Sequence, residues 1–303
     1  ESGSKEWIHR PMSEQAALFE DQCICHILEC LSPTAFCLAF LTVLLEQKVV
    51  FVSSRRSTLL SATTAFSKLL APLEWPHLTV PIVPSNLAVD LIQYPAPFLI
   101  GLCSKEKDNQ DIFNFPKDVT VIELDLGRVM LGDNYASSGD SKGASAELRL
   151  QVIYLAEELG ACLGSILSPE VWRCEDPFYV CNNDEKEKSA VNVSGTVRTL
   201  CQEFITELTE GVDSCCMWIE EGDSDMNQEG IVLFDEDRFF HLKDLRSKKR
   251  NASLLAGELS SSEVTSKFAI GLDDFDLILE TFLRGQAMSV FISGREKKSM
   301  TYW

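Results

Sequence analysis

Positive charge is scarce in this chain: 27 Lys and Arg stand against 46 Asp and Glu, a formal charge of −19 over 303 residues. Binding to a polyanion depends on Lys and Arg neutralising phosphates, so nucleic acid is excluded as the main partner. A basic or neutral protein surface is the better complement, although acidity also serves solubility alone. Histidine is limited to His9, His26, His77 and His241, which leaves little material for general acid–base work. No Gly-x-x-x-x-Gly-Lys-Ser/Thr phosphate loop, Gly-x-Gly-x-x-Gly turn, His-Glu-x-x-His pair or Gly-x-Ser-x-Gly elbow occurs. Long apolar runs are missing too: the longest uncharged one, residues 30–45, falls short of the ~20 residues that span a bilayer. The opening Glu1-Ser2-Gly3-Ser4-Lys5-Glu6 lacks a signal-peptide core. A cytoplasmic protein is expected, and the chain reads as a fragment whose natural start lies upstream.

Cysteine is abundant, at eleven, but not arranged as a disulfide scaffold. The residues lie scattered through apolar segments of a chain much larger than a stapled domain, which fits free, mostly buried thiols in a reducing compartment. Cys23, Cys25, His26, Cys30 and Cys37 are not framed by paired Cys-x-x-Cys motifs and follow a helical apolar pattern, so no metal site is assigned to them.

With 45% apolar residues the chain can fill a sizeable core. Helical spacing is expected over 13–31. Ser32 followed by Pro33 starts a second helix over 33–46, because proline gives up only an amide that would be unpaired in the first turn. Val49-Val50-Phe51-Val52 is continuously apolar, the mark of a strand covered on both faces. Serines at 53, 54 and 57 are placed to cap a helix over 58–71, and a second strand follows over 78–83. Pro81 and Pro84 confine that strand to an edge or to its own end. A short helix over 86–92 and strands over 98–102 and 119–124 complete an α/β unit with a mostly parallel sheet and helices on both faces.

Residues 1–132 form this expected α/β module and 133–145, rich in Gly, Ser, Asp and Asn, a linker. Residues 146–303 turn mainly helical, over 146–166, 195–209 and 272–292. Three polar insertions, 182–188, 220–229 and 246–262, are expected to be mobile on composition. The last is serine-rich and a candidate for phosphorylation.

One stretch organises the rest. Leu44-Leu45-Glu46-Gln47-Lys48-Val49-Val50-Phe51-Val52-Ser53 is followed by Pro72-Leu73-Glu74-Trp75-Pro76-His77, by Pro81-Ile82-Val83-Pro84 and by Tyr94-Pro95-Ala96-Pro97-Phe98-Leu99-Ile100-Gly101. These four ordered blocks resemble the central region of the DENN family. Val197-Arg198-Thr199-Leu200-Cys201-Gln202-Glu203-Phe204 looks like the start of that family's downstream region. Phe282-Leu283-Arg284-Gly285-Gln286-Ala287-Met288-Ser289-Val290-Phe291 is similar to its closing helix, with Gly285 where threonine is usual. Gln47 and Val83 also depart from the family's usual residues, and the upstream longin-like lobe of the family is expected to be absent from this chain.

The resemblance implies a guanine-nucleotide exchange factor for a Rab-type small GTPase in vesicle trafficking, or else a non-catalytic GTPase-binding or scaffolding module. It implies no catalytic residue, metal or cofactor, and at most peripheral recruitment to vesicle or organelle membranes. Loops leaving the C-terminal ends of parallel strands usually carry binding, which points to Ser53, Ser54, Arg55 and Arg56 and to Ser85 and Asn86. Arg55 or Arg56 would pair with an acidic partner residue, act as a finger in a GTPase-activating role, or remain solvated. Ser85 and Asn86 would bond a partner backbone or merely cap the following helix. Trp75 is expected to anchor the core with His77 beside it. Glu46 is expected to cap or to pair with Lys48 or Arg198.

Overall fold

The computed structural model describes residues 14–104, 115–133, 142–167, 183–219, 231–255 and 275–299. Helix α1 (Glu14–Cys30) turns Cys23, Ile24, Ile27 and Leu28 inward. At Ser32 the hydroxyl oxygen accepts the Ala35 amide at 3.2 Å, and Pro33 opens α2 (Pro33–Leu44). Eight of the twelve α2 residues are buried, as an all-round apolar helix requires. It ends two residues earlier than its composition suggests, because Glu46 adopts a left-handed backbone, φ 51°.

Strand β1 (Lys48–Ser53) lies in the middle of a five-stranded sheet, flanked by β3 (Phe98–Cys103) and β4 (Val119–Glu123), both parallel to it. That central position explains the unbroken run of apolar side chains. The edge strand β2 (Leu78–Val80) pairs with β3, and β5 (Arg128–Met130) closes the other edge antiparallel to β4. The sheet order is therefore β2-β3-β1-β4-β5. Strand β2 stops at residue 80 rather than 83 because Pro81 has no amide to donate. The β4–β5 hairpin was not expected from the sequence.

Helix α3 (Arg56–Leu69) crosses over one face, where Leu59, Ala62, Ala65 and Phe66 meet Val49, Phe51, Leu99 and Ile122. Phe66 stacks on Phe51 at 5.6 Å and 10° and leans on Phe36 at 5.5 Å. Helix α4 (Ser85–Ile92) covers the opposite face through Ala88 and Ile92, against Val50, Val52, Ile100, Leu102, Val119 and Val121. Alternation along each strand feeds two separate apolar layers.

The second half adds α5 (Lys142–Ile166), α6 (Asn183–Thr209), the one-turn α7 (Val212–Cys215), a hairpin of β6 (Cys216–Ile219) and β7 (Ile231–Phe234), then α8 (Glu236–Leu255), α9 (Asp276–Leu283) and α10 (Gln286–Ser299). Its buried residues, from Leu148 to Met288, join the larger of the two apolar layers rather than forming a core of their own.

Several expectations for this half change. Residues 183–188 begin α6 instead of forming a mobile insertion, in keeping with the helix propensity of Glu and Lys, which recur in that sequence. Likewise α8 runs through 246–255. The expected helix over 272–292 is two, broken at Arg284 and Gly285. Residues 220–229, most of the linker, 256–262 and the first residues of the chain lie outside the described residues.

Candidate functional site

All loops that follow the parallel strands β1, β2, β3 and β4 emerge at one edge of the sheet. Strands β1 and β2 are separated by β3 alone, so their loops leave about 10 Å apart at the usual strand spacing. The structure therefore brings residues 53–56 and 85–86 to one edge.

The first loop is braced from the side. Ser53 is 1% exposed, and its hydroxyl donates to Asp125 Oδ1 at 2.6 Å. The Ser54 amide donates to Asp125 Oδ2 at 2.6 Å, and the Arg55 amide to Ser53 Oγ at 3.1 Å. Burial acts to raise the Asp125 pKa, but hydrogen bonds from Ser53 and Ser54 and the Arg55 guanidinium outweigh it and hold the carboxyl below its usual range. Asp125 sits in the β4–β5 turn, completed by Gly127 at φ 63°, where an added Cβ would lie 2.9 Å from the Cys30 carbonyl oxygen. Ser53 thus positions the loop, Ser54 is half-buried, and Arg55 and Arg56 are exposed. The serines do not cap α3: its N-cap is Arg55, which makes no side-chain capping bond.

The second loop is pinned from below. A Cβ on Gly101 would fall 2.0 Å from the Pro81 carbonyl oxygen, so only glycine lets the chain after β2 pass over β3. The Val83 amide donates to the Gly101 carbonyl at 2.8 Å, closing that crossing. Pro84 is the N-cap of α4 and has no side chain to cap with. Ser85, half-buried, and Asn86, exposed, then occupy the first turn.

Glu46 makes neither of the pairs expected of it. Lys48 reaches Asp118 at 2.7 Å, and Arg198 reaches Asp21 at 2.7 Å. The Glu46 carboxylate instead accepts the backbone amides of Gln286 at 2.8 Å and Ala287 at 2.5 Å. It caps α10 across 240 positions of sequence. Gly285 leaves the room: a Cβ there would stand 3.1 Å from Glu46 Oε1. His77 Nε2 lies 3.0 Å from Glu46 Oε2, close but not aligned for a hydrogen bond. The Trp75 ring meets His77 edge-on at 5.1 Å and packs against the core. No motif announces this cap, because its two parts lie at opposite ends of the chain.

Cys37 and Cys25 are not poised as nucleophiles or ligands. Burial pushes Cys37 up to about 12 and Cys25 up to about 11, far from the thiolate range that nucleophilic or ligating cysteines need.

The model of the DENN (AEX-3) domain matches residues 2–127. Residues 2–127 belong to the DENN family. The chain is 35% identical to human DENN domain-containing protein 2B over 97 residues, which is 32% of this chain and 8% of that protein. It is 30% identical to human DENN domain-containing protein 2D over 117 residues, 38% of this chain and 23% of that one. Mouse DENN domain-containing protein 2A is 38% identical over 65 residues, 22% of this chain and 6% of the relative. The matched stretches are thus less than a quarter of each relative's length. In this DENN domain the signature blocks are the parts that build the two loops: the Leu44–Ser53 block supplies the Glu46 cap and β1, and the two proline blocks supply the Pro81–Gly101 crossing. The downstream resemblances fall on α6 and on α9 and α10.

Proposed function

We propose that this chain is a guanine-nucleotide exchange module for a Rab-type small GTPase, binding the switch region through the loops that follow β1 and β2. The observation that carries the reading is their arrangement: two loops on one sheet edge of a DENN domain, each locked by contacts beneath it, with Arg55, Arg56 and Asn86 facing solvent. A preformed surface of this kind binds without first being ordered. Exchange requires no acid, base, metal or cofactor. The factor binds the empty GTPase more tightly than the loaded one, and by linkage the nucleotide is released faster. In this scheme Ser53 holds the loop from within, Ser54 offers its half-buried edge, Arg55 and Arg56 meet acidic partner residues, and Ser85 and Asn86 bond the partner backbone. We propose the division of the chain into an α/β module over 1–132, a linker over 133–145 and a mainly helical region over 146–303. The setting is cytoplasmic, with peripheral recruitment to vesicle membranes; among the described residues no helix is long and apolar enough to cross a membrane.

Release of mant-GDP from a panel of Rab proteins tests the reading, together with affinity for each GTPase in its GDP-bound, GTP-bound and empty forms. Tighter binding to the empty form, weakened about tenfold or more by R55A/R56A through loss of two charge-assisted contacts, is expected. Equal affinity for all three forms would instead establish the scaffolding role. Binding to no Rab in the panel would refute both.

A further inference from the structure

We infer that Ser57 is a phosphorylation site, and that its phosphate switches off the cationic loop of the proposed GTPase surface. Five hydroxyls lie between residues 53 and 61, around the Arg55-Arg56 pair: Ser53, Ser54, Ser57, Thr58 and Ser61. The fold engages four of them. Ser53 is 1% exposed and donates to Asp125, and Ser54 is half-buried with its amide on the same carboxylate. Thr58 is 2% and Ser61 8% exposed, and their hydroxyls lie against the His26 ring at 3.4 and 3.1 Å. Ser57 is the one of the five that is exposed. In the bare sequence Thr58 has the same two arginines upstream; its burial decides against it.

Arginines just before a serine are what arginine-directed protein kinases read, because acidic subsites beside their active site pair with guanidinium groups. Such a kinase also needs the local backbone to come free. Ser57 lies in the first turn of α3, whose N-cap Arg55 makes no side-chain capping bond, and an uncapped helix end opens at little cost. In the transfer the Ser57 Oγ attacks the γ-phosphorus of ATP. The Oγ–P bond forms as the bond to the bridging oxygen breaks, ADP leaves, and the hydroxyl proton passes to the kinase's base. The product carries about −1.5 to −2 charges at pH 7. Arg55 and Arg56 are two residues and one residue away, within about 8 Å, the screening length at physiological salt. The two positive charges of the loop are then nearly cancelled, and an acidic partner residue meets no net attraction. The site itself stands on exposure and sequence; its effect rests on the exchange reading proposed above.

The test incubates the whole chain with Mg-ATP and either the catalytic subunit of cAMP-dependent protein kinase or protein kinase C, and maps the phosphate by mass spectrometry. Label at Ser57 and none at Thr58 is expected. No label at Ser57 from either kinase, or label at Thr58 in preference, would overturn the site. Phosphoserine installed genetically at position 57 should weaken binding of the empty GTPase about tenfold or more, as R55A/R56A does. It should add little in the R55A/R56A background, and S57A should bind as the original does. Circular dichroism checks that each variant is folded; should the phosphoserine chain unfold, S57E replaces it in the same comparison. Unchanged binding by the phosphorylated chain, where R55A/R56A is weakened, would overturn the switch and leave the exchange reading intact. Binding to no Rab in the panel would remove the exchange reading and the switch together, while label at Ser57 would still establish the modification.

Discussion

Replacing Glu46 probes the contact that ties the first DENN signature block to the closing helix. Its carboxylate accepts two backbone amides at the start of α10, and the side chain is 11% exposed, so water replaces it poorly. Hydrogen bonds to a charged acceptor contribute about 1.5–3 kcal/mol each, and a lost helix cap about 1 kcal/mol on average. Allowing for their sharing one carboxylate, Glu46→Ala should cost about 2–3 kcal/mol of unfolding free energy. Glu46→Gln keeps an acceptor but loses the charge and should cost about 1 kcal/mol. Glu46→Gly separates the two roles of this residue, because φ is 51° and glycine adopts that backbone without strain. It loses the cap yet relieves about 1 kcal/mol, and should be less damaging than Glu46→Ala. Urea unfolding followed by tryptophan fluorescence reads the order, with an unchanged slope confirming that only stability moved. A variant Glu46→Ala within about 0.5 kcal/mol of the original, or Glu46→Gly worse than Glu46→Ala, would refute the reasoning.

Other perturbations address the loops and the core. Gly101→Ala forces a Cβ into the Pro81 carbonyl; a loss above about 3 kcal/mol in urea unfolding is expected, with displacement of the chain leading to Ser85 seen as faster amide exchange at 81–86. Asp125→Ala leaves the buried Ser53 hydroxyl without its acceptor, a cost of about 1–3 kcal/mol by the same titration. Because the folded-state pKa of Asp125 is depressed, its contribution is present above the ordinary carboxylate value and is lost as pH falls through the lower, folded value. The stability gap between the original and Asp125→Asn should therefore be constant near neutrality and narrow only below about pH 4. Phe66→Ala removes the ring that stacks on Phe51 and leans on Phe36, and calorimetry or urea unfolding should show a loss of about 3–5 kcal/mol.

Much of the α/β half was legible in the residue pattern. The unbroken Val49–Val52 run marked a strand covered on both faces, and it is the centre of the sheet. Ser32 and Pro33 marked a helix start, and they cap and open α2. The proline at 81 marked an edge strand and shortened it by three residues. Legibility fell where a pattern admitted two periods. Cys216–Ile219 and Ile231–Phe234 are short apolar runs that a helix or a strand could use, and they became an antiparallel hairpin. The polar stretches at 183–188 and 246–255 look like loops on composition, yet Glu and Lys are good helix formers, and the first stretch opens α6 while the second continues α8.

By itself the sequence determined where most strands and helices of the α/β half lie, because burial of β-branched runs and the backbone limits of proline and glycine are local constraints. It also carried the family, through four ordered blocks whose spacing is that of the fold. The tertiary structure alone decided what joins what. It assigned Glu46 to Gln286 and Ala287, Asp125 to Ser53 and Ser54, and Pro81 to Gly101. Those pairs are between 20 and 241 residues apart. A carboxylate or a missing Cβ carries no mark of its partner in the chain; only the folded path brings the two within a few ångströms, where charge and steric exclusion act.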